Sequence, residues 1–306
     1  MMQTVFEKAK AFIYRNARPL DLARFQYHFE NGSKESVLQA LSFYQNEDGG
    51  CGHAVEADCW NPNSIPLHSN TASDILREIG WEDKSHPFVQ GLLKYYESGK
   101  DFNGHTWAIT VESNNDYPHA PWWHTESESS CHTDYNGTAQ IAGFLVRYAD
   151  ENSDAFRLGI RVAKEAIAAL SPDEIMDMHT CTCYIRMLEL VEQGKAEHLI
   201  PHQELKEKLH ASVNKLIERD KTKWSAYMCK PSQFMMSRES MFYPDNREIA
   251  EYECEFIKNT QLPDGSWDIP WSWNNFPEEW AISKNWWKGT NIVLNLLYLK
   301  GFGALE

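Results

Sequence analysis

The chain has 306 residues, with 44 Asp or Glu against 29 Lys or Arg, so its formal net charge is −15. That charge repels phosphate backbones and anionic lipid surfaces and excludes nucleic acid as an expected partner. A hydrophobic share of 42% with 24% charged residues is that of a folded globular chain, expected as a single domain over 1–306.

The opening MMQTVFEKAKAFIYRNARPL has no apolar run of the length a secretory leader needs. No segment approaches the ~20 apolar residues of a membrane span. Seven cysteines, an odd number in no regular framework, read as reduced thiols. The expectation is a cytoplasmic protein.

Helical periodicity then recurs along the chain. KESVLQALSFY (34–44) puts Val37, Leu41 and Tyr44 on one stripe and runs into YQNEDGGCGH (44–53). A long loop over 48–70 leads to NTASDILREIG, expected to turn helical near Thr71. FVQGLLKYYESG (88–99) leads through a second long loop, 101–136, to a helix beginning near Thr138. FRLGIRVAKEAIAAL (156–170) meets SPDE (171–174), whose Ser, Pro and Glu spell a capping box, so a helix is expected over Pro172–Val191. ELKEKLHASVNKLIERD carries Leu205, Leu209, Val213, Leu216 and Ile217 on one face. EIAEYECEFIKNTQ (248–261) runs into LPDGSWD, a third loop to 289, and a helix from Thr290 closed by Gly301. No stretch sustains period-two alternation, so the fold class is all-α.

The recurring unit is helix, loop, helix, too small to bury its apolar face alone. QNEDGGCG and QLPDGSW resemble the Gln-x-x-Asp-Gly motif of the terpenoid cyclase and protein prenyltransferase superfamily. The resemblance implies an α/α toroid, a ring of helical hairpins whose inner helices line a central cavity. It does not extend to the Asp-x-Asp-Asp motif of the proton-initiated cyclases, which is missing; the nearest acidic cluster is VEADCW. Those prenyltransferases hold zinc with Asp, Cys and His, the His lying in a segment similar to HTCTCY (179–184), but the matching Asp-x-Cys pair is absent.

Candidate chemistry gathers in the three long loops, which stacking in register would bring to one rim. Glu56, Asp58 and Asp134 are the expected acid or base carboxylates, since a neighbouring negative charge raises a carboxyl towards proton donation. His53, Trp60, His119, Trp122, Trp123, His124, Trp271 and Trp273 are the expected substrate contacts, with aromatic rings as stacking faces. Because Trp122 and Trp123 are adjacent, only one is expected to face a ligand. No metal or other cofactor is expected, and His124, Cys131, His132 and His179 are the residues that would hold a divalent ion if one bound. On a helix His179 and Cys183 share a face while Cys181 does not, so packing is the leading reading of HTCTCY.

The function expected is an enzyme of the toroid class acting by carboxylate acid/base chemistry on an apolar or ring-bearing small molecule in the cavity, with no partner subunit. The alternatives are a saccharide hydrolase or lyase on a similar helical toroid, and a ligand-binding ring without catalysis.

Overall fold

The computed structural model describes residues 4–127, 131–171 and 176–305. These residues fold as α-helices joined by turns and loops; among them β-structure is confined to isolated bridges. In chain order the helices are α1 (Val5–Asn16), α2 (Pro19–Phe29), α3 (Lys34–Ser42), α4 (Pro66–Glu78), α5 (Pro87–Glu97) and α6 (Thr138–Tyr148). There follow α7 (Asp154–Ala169), α8 (Met178–Gln193), α9 (His202–Leu216), α10 (Tyr243–Thr260) and α11 (Pro277–Gly301). No helix among the described residues is long and apolar enough to cross a membrane.

The helices belong to two units, residues 1–40 with 216–306 and residues 41–215; the chain passes between them within α3 and again at the end of α9. In the unit of residues 41–215, α6 lies against both α7 and α8, and every residue from Thr138 to Val146 is buried. A chain of ion pairs ties α4 to α8. Arg77 reaches Asp74 at 2.8 Å and Glu189 at 2.7 Å, and Arg186 reaches Asp74 at 2.9 Å. In the other unit α11 packs on α1 and α2. There buried Asp21 is held between Arg18 (2.8 Å) and Arg24 (3.1 Å) and accepts a hydrogen bond from Thr290 of α11.

The two Gln-x-x-Asp-Gly segments form one turn built twice. Gln45 Nε2 donates to Gly49 O (2.9 Å) and to Phe88 O in the first turn of α5 (2.9 Å). Gln261 Nε2 donates to Gly265 O (3.0 Å) and to Val5 O in the first turn of α1 (2.9 Å). Asp48 and Asp264 each accept from the backbone N–H two residues on. Gly49 and Gly265 sit at φ +92° and +93°, and a Cβ there would lie 2.0 Å from Gly91 O and 2.1 Å from Lys8 O. Glycine is obligatory at both, for the backbone angle and for the close approach.

Three helices begin elsewhere than the periodicity places them. α4 starts at Pro66, five residues before Thr71, because Pro is pre-set for a helix's first position and Ser69 and Thr71 turn their hydroxyls back onto backbone carbonyls. α11 starts at Pro277 rather than Thr290, so Glu278, Glu279 and Trp280 are helical and the third loop is shorter than read. α8 starts at Met178, not Pro172: Asp177 caps it by accepting from His179 N (2.8 Å) and Thr180 N (3.1 Å). Pro172, Asp173 and Glu174 of the expected capping box lie outside the described residues.

Candidate functional site

The two long loops of residues 41–215 are sewn together by backbone. Cys59 and His119 form an antiparallel bridge, flanked by Trp60 N–H to Pro118 O (2.9 Å) and Ala120 N–H to Asp58 O (2.8 Å). Asparagine does the rest, because one carboxamide both donates and accepts. Asn61 Nδ2 reaches Ser113 Oγ (2.8 Å) and Asn114 Oδ1 (2.9 Å), Asn114 Nδ2 reaches Trp123 O (2.9 Å), and Asn115 exchanges two bonds with the backbone of Thr125.

This stitching sets two imidazoles side by side. His119, 7% exposed, has Nδ1 2.6 Å from Tyr117 O. A carbonyl only accepts, so that nitrogen carries a proton. His119 Nε2 lies 3.3 Å from His124 Nδ1, with the rings 12° from parallel. One proton therefore bridges the pair. With His119 neutral its Nε2 accepts from His124 Nδ1–H, and His124 keeps a lone pair on Nε2. Among the described residues the His124 ring makes no other hydrogen bond. His124 is exposed and lines a groove of about 330 Å³ with Trp122, Glu126, Thr110, Thr133 and Ile109. A base oriented by a second group, open to a groove with an aromatic wall, is equipped for proton transfer.

The remaining expected residues fall around this groove or away from it. Trp122 is 48% exposed while Trp123 is buried against His68, so one ring of the adjacent pair faces outward and the other inward. His53 at φ +56° fastens its loop through Nε2 to Asn46 Oδ1 (2.8 Å), and Trp60 is half-buried beside the bridge. Asp58 is 3% exposed and has no surface to offer a substrate; Glu56 accepts from Thr71 Oγ1 at 3.3 Å. Asp134 lies at the entry to α6, and removal from water, reinforced by the charge of Asp177, raises its carboxyl above the ordinary range. Trp271 and Trp273 lie in the other unit. Trp273 is fully buried near Trp280, and Trp271 stands between Tyr227 and Trp287.

The four metal candidates do not converge. His124 is paired with His119, His132 Nδ1 lies 3.2 Å from Thr106 Oγ1, Cys131 takes a bond from Thr110, and His179 sits on the exposed first turn of α8. No three His, Cys, Asp or Glu side chains among the described residues gather as a metal site requires. HTCTCY is chiefly packing: Cys181 and Tyr184 are buried, and Cys183 Sγ accepts from Gly137 N–H at 3.2 Å. Cys59 is buried as well, and burial pushes its thiol up to about 12, away from the reactive thiolate.

Sequence reasoning passed over His68, Asn61 and Asn114. His68 was legible in principle: once α4 is started at Pro66, it falls on the buried stripe of Ile65, Ala72, Ile75 and Ile79, a polar residue on an apolar face. No protein-family profile, curated protein or solved structure matches this chain.

Proposed function

We propose that the chain is an enzyme on an α/α toroid framework, transferring protons to and from a ring-bearing polar small molecule, of the saccharide class, laid on Trp122. The duplicated turn supports the framework: each copy ends a helix, reverses at a glycine and docks on the first turn of another helix in the same register, as hairpins repeating around a ring would. The chemistry rests on one observation, the proton-sharing His119–His124 pair opening on the groove. Thr110, Thr133 and Glu126 supply hydroxyl and carboxylate partners beside an indole face, which suits a hydroxylated ring better than a diphosphate in a protein of net charge −15. Proton transfer by imidazole needs no metal or organic cofactor.

Intrinsic fluorescence against a panel of neutral and acidic oligosaccharides and isoprenoid diphosphates tests this. At least one oligosaccharide is expected to bind, with Trp122→Ala weakening it by ~1–3 kcal/mol and His124→Gln abolishing turnover while preserving binding. Binding of diphosphates alone, or unchanged turnover in His124→Gln, overturns the assignment.

A further inference from the structure

Beside the residues that line the groove, the same segment carries buried polar atoms without hydrogen-bond partners. His68, on the first turn of α4, is 0% exposed, and neither Nδ1 nor Nε2 has a hydrogen-bond partner. Its ring meets Trp123 edge to face at 5.3 Å and 84°. Trp123 Nε1 and Thr125 Oγ1 are likewise buried and unpartnered. Trp123 and Thr125 alternate along the segment 121–126 with Trp122, His124 and Glu126, which line the groove, and His68 meets that segment through the Trp123 ring. The segment itself is well fastened through Asn114 and Asn115, so loose backbone does not account for these atoms.

An unmade buried hydrogen bond is destabilising, and a core position filled by Leu would avoid the loss at His68. Burial holds the His68 imidazole neutral, its pKa lowered to about 3, so it offers one donor and one acceptor. The indole N–H of Trp123, whose ring touches His68, adds a donor, and the Thr125 hydroxyl two residues on adds a donor and an acceptor, the capacity that the hydroxyls of a polyol or sugar satisfy.

We infer that His68, Trp123 and Thr125 form a buried subsite behind the groove, with the Trp123 ring as its door, which receives a hydroxyl-bearing part of the groove's ligand. The subsite rests on the proposed function for its ligand but not for its geometry, and the two are tested apart. Carbethoxylation by diethyl pyrocarbonate, mapped by mass spectrometry, reads the geometry. His68 is expected to be unreactive in the folded wild type and at least tenfold more reactive in Trp123→Ala, with Trp123→Leu as the milder opening should the first variant not fold. His68 still protected in a folded Trp123 variant overturns the subsite, whatever the oligosaccharide panel shows.

His68→Leu reads the ligand. It is expected to keep or raise the melting temperature, since it removes two unpartnered polar atoms, while weakening at least tenfold any oligosaccharide that binds the wild type. Unchanged affinity in a folded His68→Leu overturns the subsite. If nothing in the panel binds the wild type, the proposed function fails, and the carbethoxylation result alone decides the subsite.

Discussion

The turn at Gln45 and the turn at Gln261 share their hydrogen bonds, their glycine and their docking on a helix start, yet the segments they lead into differ. After the first, residues 51–65 form a loop bridged at Cys59 to His119 of a second long loop, and that second loop carries the imidazole pair. After the second, the chain crosses a shorter segment into the 25 residues of α11. Buried polar side-chain atoms without partners show the same division. Among the described residues, His68, Tyr95, Tyr96, Asp101, Trp107, Trp123, Thr125 and Arg147 of the unit 41–215 hold such atoms, against Gln261, Trp271 and Trp287 in the other unit. The turn, not the segment after it, holds the helix ends, so the segment beyond it can differ between the two copies.

If the two turns are equivalent supports, breaking either should cost alike. Gly49→Ala and Gly265→Ala each place a Cβ about 2 Å from a backbone oxygen at a φ that L-residues avoid. Each is expected to cost ~2–5 kcal/mol of unfolding free energy in urea titrations, from strain and overpacking together. A loss under ~1 kcal/mol at one position alone would show that turn able to relax and end the equivalence.

The helices entering the turns differ at one buried position. Eight residues before Gln45 stands Val37, and eight before Gln261 stands Glu253, both buried. Glu253 accepts from Ser232 N (2.8 Å) and Oγ (2.6 Å), and burial still pushes its carboxyl up to about 7, with Lys230 and the Ser232 bonds opposing. The unfolded value is about 4.3. The fold therefore favours the protonated form, whose contribution is complete below pH ~4.3 and is lost progressively as pH rises towards about 7. Subtracting the stability–pH profile of Glu253→Gln from that of the wild type should isolate a fall across that window. Parallel profiles would mean that Glu253 behaves like its apolar counterpart.

How much of this was legible depends on whether the signal is local. All-helical character is legible in the apolar periodicity, and the paired turns in QNEDGG and QLPDGS, because a glycine at positive φ and an aspartate accepting two residues on are decided within six residues. α1 carries an unread local signal, the Thr4–Glu7 capping box. The starts of α4 and α11 escape a reading that begins each helix at Thr71 or Thr290, because Pro66 and Pro277, well upstream, are the first helical residues. The candidate site is less local. His119, Trp122 and His124 were picked for their chemistry, but the bridge between Cys59 and His119 joins residues sixty positions apart and leaves no trace in either loop alone. The burial of Asp58 is equally invisible in its own loop, since Ala120 N–H of the distant bridge partner donates to its backbone carbonyl.

The finest difference between the turns is electrostatic. Lys288 Nζ meets Asp264 at 2.9 Å with a side chain 17% exposed, while Lys100 meets Asp48 at 3.6 Å with both partners nearly half exposed. Both aspartates also accept a serine hydroxyl, from Ser266 (2.6 Å) and Ser64 (2.5 Å), so the lysine is the variable term. Coulomb attraction grows as water is excluded, and an exposed pair gives back in side-chain entropy what it gains. Methionine keeps most of the aliphatic stem, including packing near the Phe12 ring that Lys288 overlies. Lys288→Met is accordingly expected to lose ~1 kcal/mol and Lys100→Met no more than a few tenths. Raising salt from 0.05 to about 0.5 M should shrink the smaller effect to nothing and leave most of the larger, since partly buried pairs are screened less. Equal losses would make the two turns electrostatically alike and confine their difference to the loops beyond them.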